Sequence, residues 1–445
     1  MSLDETIGFL KNVDELKVAE TLLDTFAKYA RNAEQLNDLG KGYHDIKRYA
    51  KAIAVTENAL STSSSNEFMY ALRANLAKLY NHINDPEKAL FYLNINDRLT
   101  PNDPDVSLER VFSLFLLGRR SESEEILREM VKHELPDDVM NRVLFNLGTY
   151  DLYRGKLQEG LRGFLLTGKK LGIWKKVELP FKFWEGGIQL GKTLIILAEG
   201  GIGDEFINVR FMKHLKDYGM HPIWYTTRKD IASIFNRCGF ETITDLKDAP
   251  KDSLWTYSMS LPIYLDLQKK DLWYGPYLTV NEASKPKFEF MNNSSKPKIG
   301  IRWSGNPDYE HDLHRSLQLD QLIKAFDGLD VELYSLQRDD GADAIKKYPD
   351  VIDLSGKLMT YDDTLASMEN LDIIVSSCTS IVHAAASLGK TTYVLTPLTE
   401  YYVWAIEEQY KTYWYDDNLT MLKQVKHKSW DEPLNKLREL ITVNK

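Results

Sequence analysis

The sequence predicts a chain in two parts, an α-helical solenoid followed by α/β layers on parallel sheets. Three observations point there. Apolar and small residues recur at a helical spacing through the first part. From about residue 193 the pattern changes to strand, turn and helix in alternation. One stretch, Asp372 to Pro397 (DIIVSSCTSIVHAAASLGKTTYVLTP), spells a complete unit of that second kind. Strands alternating with helices imply a parallel sheet, because only a crossover can join parallel neighbours.

The helical part repeats. Residues 33–66 contain Leu39, Gly40, Tyr43, Ala52 and Ala59, and residues 70–103 contain Leu76, Ala77, Tyr80, Ala89 and Pro101. The two sets superpose at a period of about 34 to 37, close to the tetratricopeptide spacing. A weaker copy covers about 105–138, with Leu108, Val111, Phe115 and Pro136. A fourth starts near Asn141, with Leu144, Leu147, Gly148, Gly160 and Phe164. Small residues let paired helices approach, large ones fill the gap to the next pair, and residues 1–32 add a polar cap. A generic helical bundle is the alternative.

Pro180, Trp184, Gly186 and Gly187 end this periodicity. Gly186 to Thr193 (GGIQLGKT) satisfies the G-x-x-x-x-G-K-[ST] phosphate-loop pattern. That loop needs a helix after it, whereas a strand, Leu194 to Leu197, follows here; the match is accidental. The strand TLIILAE then runs into Gly200-Gly201-Ile202-Gly203-Asp204 and an amphipathic helix through Phe206, Val209, Phe211 and Leu215. Glycines there let the backbone bend and come close to a ligand. Asp204 is either a plain helix-start carboxylate or a functional one. Phe206 stands at the third glycine position, so the dinucleotide fingerprint is not matched. Pro222 to Thr226 and Leu254 to Met259 read as further strands.

Residues 280–297 (NEASKPKFEFMNNSSKPK) read as an inter-domain linker. A second α/β region opens with the strand Lys298 to Trp303, flowing into Ser304-Gly305-Asn306-Pro307 and on to Arg315. A helix follows (Leu319 to Phe326), then a strand ending at Gln337, a helix near 340–347, a short strand at 351–354 and a helix from Tyr361 to Met368. In the stretch after it, Ile373 to Val375 form a buried strand. Thr379 or Ser380 caps an Ala-rich helix that Gly389 stops, and Thr391 to Thr396 form the next strand. The helix start faces the carboxyl edge of the sheet, a natural seat for a phosphate, and His383 lies one turn in. An ordinary crossover with a satisfied histidine is the bland alternative. The acidic pairs Asp339-Asp340 and Asp362-Asp363 read as helix caps. A last helix covers about 431–442.

The 445 residues carry a formal charge of −9, with 43% apolar and 27% charged residues. That balance fits globular domains and argues against a surface built for non-specific duplex nucleic acid. Cys238 and Cys378 form no disulfide framework, and no apolar run is long enough to span a bilayer. The N-terminal MSLDETIGFLKNVDELK lacks a signal-type core. A cytoplasmic protein is the expectation.

Segments spread over 141–430 carry a specific resemblance. They include LGTYDLYRGKLQEGL, PFKFW, ILAEGGIGDEFINVRF, YSMSLPIYL, GIRWSGNPDYEHDLHRSLQL, LYSLQR, TSIVHAAASLGKTTYVLTP and YYVWAIEEQYKTYWYDDNLTMLKQVKHKSW, in order and spacing. The chain resembles bacterial proteins that join tetratricopeptide repeats to a heptosyltransferase-like glycosyltransferase of family 9 type, distantly similar to O-GlcNAc transferase. The resemblance implies a GT-B fold. Residues 1–175 would be the repeats, 176–290 a Rossmann-like acceptor domain and 291–445 a Rossmann-like donor domain.

It also implies an inverting glycosyltransferase with a nucleotide-sugar donor and no metal. The acceptor would be a protein or glycan reached through the repeats, with a modified nucleobase as a further alternative. Asp204, with Gly201 and Gly203 in its turn, matches the base position. Arg315 and His383 stand beside the donor diphosphate, which the helix at Thr379-Ser380 would hold. Trp303, Ser304, Gly305 and Asn306 line the donor loop, Gln337 reads base or ribose, and Tyr401 stacks on sugar or base or belongs to the core. Many relatives carry Asp where this chain has Cys378. That departure favours a second reading, a repeat scaffold that binds a nucleotide-sugar or a partner protein with little or no catalysis. A third is a sugar-nucleotide epimerase or hydrolase.

Overall fold

The computed structural model describes residues 13–443 apart from 174–176, 308, 310, 340 and 400. Residues 1–12 of the cap expected over 1–32, and the Asp340 half of one acidic pair, lie outside the described residues. The chain divides into two compact units, Met1–Val139 and Met140–Lys445.

The described part of the first unit is helical: α1 (Val13–Ala27), α2 (Ala33–Asp45), α3 (Tyr49–Thr62), α4 (Asn66–His82), α5 (Pro86–Leu99), α6 (Pro104–Leu116) and α7 (Arg120–Met130). Each helix packs on the next across a short turn, which makes neighbours antiparallel. The starts are written in the sequence. Asn32, Ser65, Asp85 and Asp103 accept first-turn N–H groups, and Pro86 and Pro104 take first-turn positions where no N–H is needed. Ala52, Ala59, Ala77 and Ala89 are fully buried where helices touch. One contact recurs between successive hairpins: the Tyr43 hydroxyl donates to Asp24 at 2.7 Å, and the Tyr80 hydroxyl to Glu57 at 2.6 Å. The tetratricopeptide assignment itself rests on the sequence spacing.

The second unit begins in α8 (Asp137–Tyr153). Helix α9 follows as Leu157–Leu161, a π-helical turn Arg162–Leu166, and Thr167–Lys170. Here the backbones touch. A Cβ on Gly148 would lie 2.8 Å from the Gly163 carbonyl carbon, and one on Gly163 would lie 2.8 Å from the Gly148 Cα.

Two parallel sheets follow. The first contains β1 (Lys182–Phe183), β2 (Thr193–Leu197), β3 (His221–Tyr225), β4 (Thr242–Ile243) and β5 (Leu254–Tyr257), in the order β1-β5-β2-β3-β4. Its crossovers carry α10 (Ile202–Val209), α11 (Met212–Asp217) and α12 (Lys229–Arg237). The GGIQLGKT segment leads into β2, with no helix after it. The second sheet contains β6 (Lys298–Arg302), β7 (Glu332–Ser335), β8 (Ile352–Asp353), β9 (Ile373–Ser377), β10 (Thr391–Thr396) and β11 (Leu419–Lys423). Its order is β11-β10-β9-β6-β7-β8, the doubly wound Rossmann arrangement. Every pairing within both sheets is parallel. Its helices include α13 (Asp312–Arg315), α14 (Leu319–Lys324), α15 (Tyr361–Glu369), α16 (Ser380–Ser387) and the terminal α17 (Asp431–Val443).

The segment expected as a free linker is ordered. Glu282–Asn293 winds as 3-10 turns, with Phe288 and Met291 fully buried and Lys287 paired to Asp363 at 2.6 Å. Two apolar anchors outweigh its Ser, Pro and Lys content. One buried cluster runs through the helices of both sheets, with Phe206 and Ile207 of α10 and Val382 and Ala386 of α16 among its members.

Candidate functional site

Strand order locates the crevices. In a doubly wound sheet, ligands bind beyond the carboxyl ends of the strands, where the winding reverses. In the second sheet that point lies between β6 and β9. β6 ends at Trp303 to Asn306, and β9 ends at Cys378, Thr379 and the start of α16. In the first sheet the reversal lies between β2 and β5, whose ends are Glu199 to Asp204 and Ser258 to Ser260.

The two crevices are brought together. Helices α10 and α16 pack directly on each other. A Cβ on Gly203 would lie 2.9 Å from His383 Cδ2 and 3.4 Å from the Ser380 Cα, so only glycine permits this approach without movement. Asp204, Arg315, Cys378, Thr379, Ser380, His383 and Tyr401 therefore gather around one junction.

Asp204 is half-buried. Its Oδ2 accepts the Gly201 N–H at 2.8 Å and its Oδ1 accepts the Tyr401 hydroxyl at 3.2 Å. Desolvation lifts its pKa to about 6, against the pull of those two donors. It is thus both the cap of its turn and a carboxylate poised to take a proton near neutral pH.

The start of α16 is different. Its N-cap, Thr379, makes no side-chain cap; the Thr379 hydroxyl pairs with Ser376 at 3.1 Å instead. The Ser380 hydroxyl is taken by Tyr361. Arg315 reaches this end: its Nη1 donates to the Cys378 carbonyl at 2.9 Å, its Nε to Asp312 at 2.8 Å, and its guanidinium lies 4.6 Å from the Tyr309 ring centre. A guanidinium and uncapped amides converge, which favours an anion.

His383 faces inward. It is buried, stacks 5.2 Å from Trp404 at 10°, and pairs through Nδ1 with the Tyr415 hydroxyl at 2.8 Å. Desolvation, with the nearby Arg210 cation, drops its pKa to about 3. It is therefore neutral and offers the crevice no charge. Cys378 Sγ lies 2.9 Å from the Trp404 indole Nε1, and burial pushes its thiol up to about 11, which leaves it a weak acceptor rather than a thiolate.

The residues expected to line a donor loop are partly committed elsewhere. Gln337 is fully buried; it accepts the Ser304 N–H at 3.2 Å and donates to Asp339 at 2.9 Å. Asp339 is held by Arg302 at 3.0 Å. The Gly305 N–H donates to Ser316 at 3.0 Å, Trp303 is buried, and Asn306 is exposed. Gln337 thus fixes the loop instead of presenting a free amide.

Sequence reasoning missed three partners. Arg210 is fully buried against the rings of Tyr415 and Trp273, at 5.0 and 5.4 Å. Tyr415 holds His383. At the switch point of the first sheet, Lys169 Nζ lies 3.2 Å from Glu199 and 3.1 Å from Ser260. The charge at position 210, between apolar Val209 and Phe211, was a readable signal; the Lys169–Glu199 pair, joined only by folding, gave none. Among the described residues no group of three or more His, Cys, Asp or Glu side chains converges in a way that could hold a metal ion.

No protein-family profile matches the chain, and no curated protein sequence matches it. Similar solved structures include a family 9 glycosyl transferase from Veillonella parvula, 9% identical over 58% of this chain and 97% of that one, TM-score 0.39. The E. coli heptosyltransferase WaaC with ADP is 10% identical over 57% and 100%, TM-score 0.39. An O-GlcNAc transferase mutant from Thermobaculum terrenum is 11% identical over 88% and 81%, TM-score 0.33. The fold assignment rests on the strand order and register above, not on these likenesses.

Proposed function

We propose that the chain is an inverting glycosyltransferase that takes a sugar from a nucleotide-sugar to an acceptor hydroxyl. The observation that carries this reading is the meeting of two unlike helix starts. One presents a carboxylate near neutral pKa, and the other presents free amides with a guanidinium.

The chemistry follows from that pairing. The donor diphosphate sits at the start of α16, against the Ser380 and Ile381 amides and Arg315. Asp204 takes the proton from the acceptor hydroxyl. The acceptor oxygen forms a bond to the anomeric carbon from the face opposite the leaving group. The bond from that carbon to the diphosphate oxygen breaks, and its electron pair leaves on the nucleoside diphosphate. Charge develops on the phosphate oxygens, where fixed N–H donors and a guanidinium stabilise it, so the step needs no metal ion. Trp303 to Asn306 border the donor, and the helical first unit recruits the acceptor or a partner.

Cys378 supports a second reading. The resemblance implies Asp at this position in many members of that family, and here the thiol is neutral and already hydrogen-bonded. The chain would then bind a nucleotide-sugar and turn it over weakly or not at all. A panel of nucleotide-sugars, read by thermal shift and by nucleoside diphosphate release with candidate acceptors, separates the two. Release dependent on acceptor supports transfer. Stabilisation with no release supports the binder, and no stabilisation by any nucleotide defeats both.

A further inference from the structure

The hairpin α8–α9 reads in sequence as a fourth recruiting repeat, yet it belongs to the compact unit that holds both sheets. Its π-helical turn, Arg162–Leu166, offsets the helix where Phe164 leaves it. Such turns inside α-helices occur often at functional sites. Phe164 meets the Tyr401 ring edge-on at 6.0 Å and stacks on Phe145 at 4.9 Å. Tyr401 in turn donates its hydroxyl to Asp204. Five residues past Phe164, Lys169 enters the switch-point crevice of the first sheet and pairs with Glu199. Glu199 also accepts the Met259 N–H at 3.2 Å, and its own N–H donates to Ser258 at 3.1 Å. The hairpin thus reaches Glu199, at the end of β2 in the first sheet, and Tyr401, in the loop after β10 of the second, whose hydroxyl bonds Asp204.

The backbone contact between Gly148 and Gly163 explains how this is held. With no side chain between them, the two helices pack backbone to backbone beside Phe164, whose ring stacks on Phe145.

We propose that the α8–α9 hairpin is a built-in part of the Asp204 site: Phe164 seats Tyr401, whose hydroxyl orients the Asp204 carboxylate, while Lys169 fixes Glu199 beside it. Tyr401, Phe164, Lys169 and Glu199 are positioning residues. Gly201 takes one lone pair of Oδ2 and Tyr401 one of Oδ1, so the two donors fix the plane of the carboxylate and leave a lone pair on each oxygen for the acceptor proton. The proposal rests on reading Asp204 as the general base.

The test uses the full chain with selectively 13C-labelled aspartate. The Asp204 carboxyl is titrated in the wild type, Tyr401→Phe, Phe164→Leu and the surface control Lys132→Met, and the pH profile of sugar transfer is recorded alongside. Removing a donor from a carboxylate favours its protonated form, so Tyr401→Phe moves the midpoint upward by about one pH unit. Phe164→Leu moves it the same way by less, and Lys132→Met leaves it in place. Lys169→Met lowers kcat while nucleoside diphosphate affinity stays within about twofold, as expected when only base geometry is disturbed. A midpoint unmoved in Tyr401→Phe, with the fold intact by circular dichroism, overturns the proposal. If the midpoint moves as stated but the wild type transfers no sugar, the orienting contact stands and the transferase reading falls.

Discussion

The glycine turn before α10 and the polar turn before α16 are the same device used in opposite senses. Both follow a parallel strand at a switch point, and both deliver a helix start to one junction. In the first, the chain supplies its own anion, since Asp204 reaches back to the Gly201 N–H. In the second the cap position supplies none: Thr379 makes no side-chain cap, and the Arg315 cation beside it is held by Asp312 one helical turn back. A helix start filled by its own carboxylate has no use for a phosphate, and a start left open beside a guanidinium has every use for one. The difference between the turns assigns their roles more directly than either does alone.

The comparison breaks most severely if the carboxylate is neutralised. Asp204→Asn keeps the cap acceptor and loses the base, so kcat falls roughly 10²- to 10⁴-fold while nucleoside diphosphate affinity holds. Isothermal calorimetry beside turnover makes the distinction, and a matching loss of affinity would move Asp204 to the donor side. In the wild type, the raised pKa predicts an acid limb. Activity is half-maximal near pH 6, rises to its plateau above that and falls as pH drops below it, because protonated Asp204 cannot take the acceptor proton. A limb near pH 4 would mean that the carboxyl is well solvated during catalysis.

On the other turn, Arg315→Ala removes the cation from the open helix start. A charge-assisted hydrogen bond of about 1.5–3 kcal/mol converts to roughly a 10- to 150-fold weaker nucleoside diphosphate affinity. An unchanged calorimetric Kd removes Arg315 from the site. The contact between the turns is tested by Gly203→Ala, whose Cβ would meet His383 Cδ2 at 2.9 Å. His383 is locked between Trp404 and Tyr415 and cannot step aside, so the variant should lose about 1–3 kcal/mol of stability, as overpacked cores do. A melting temperature unchanged from wild type would show that the helices stand further apart.

Much of this frame is legible in the residues. β10 begins and ends where the β-branched run Thr391 to Thr396 says it should, and α16 starts at Ser380 behind Thr379 as its cap position requires. Other elements are not. β11, Leu419–Lys423, follows the turn residues Asp416, Asp417 and Asn418, but the run is short, and pairing with β10 is what makes it a strand. Among the candidate site residues, Asp204 and Arg315 were singled out by the resemblance and by their places at a glycine turn and a loop end, where each also has a structural partner, the Gly201 N–H and the Cys378 carbonyl. The inward face of His383 is not, since one turn into a helix allows either direction; Tyr415, 32 residues later, decides it. Lys169 and Glu199 lie 30 positions apart in elements of different kinds, and no local pattern couples them.

The finest contrast between the turns concerns Cys378. It sits one residue before the open helix start, where a carboxylate would make the second turn resemble the first. Its Sγ lies against the Trp404 indole N–H, and burial keeps the thiol protonated. A serine hydroxyl can accept the same N–H and is no more charged. Cys378→Ser should therefore leave nucleoside diphosphate affinity and turnover within about twofold, the scale of exchanging one neutral acceptor for another. Were the thiol a nucleophile, the substitution would abolish turnover and a covalent adduct would be visible by intact mass in the wild type. A near-silent Cys378→Ser thus confirms that the second turn works by leaving its helix start free of its own anion.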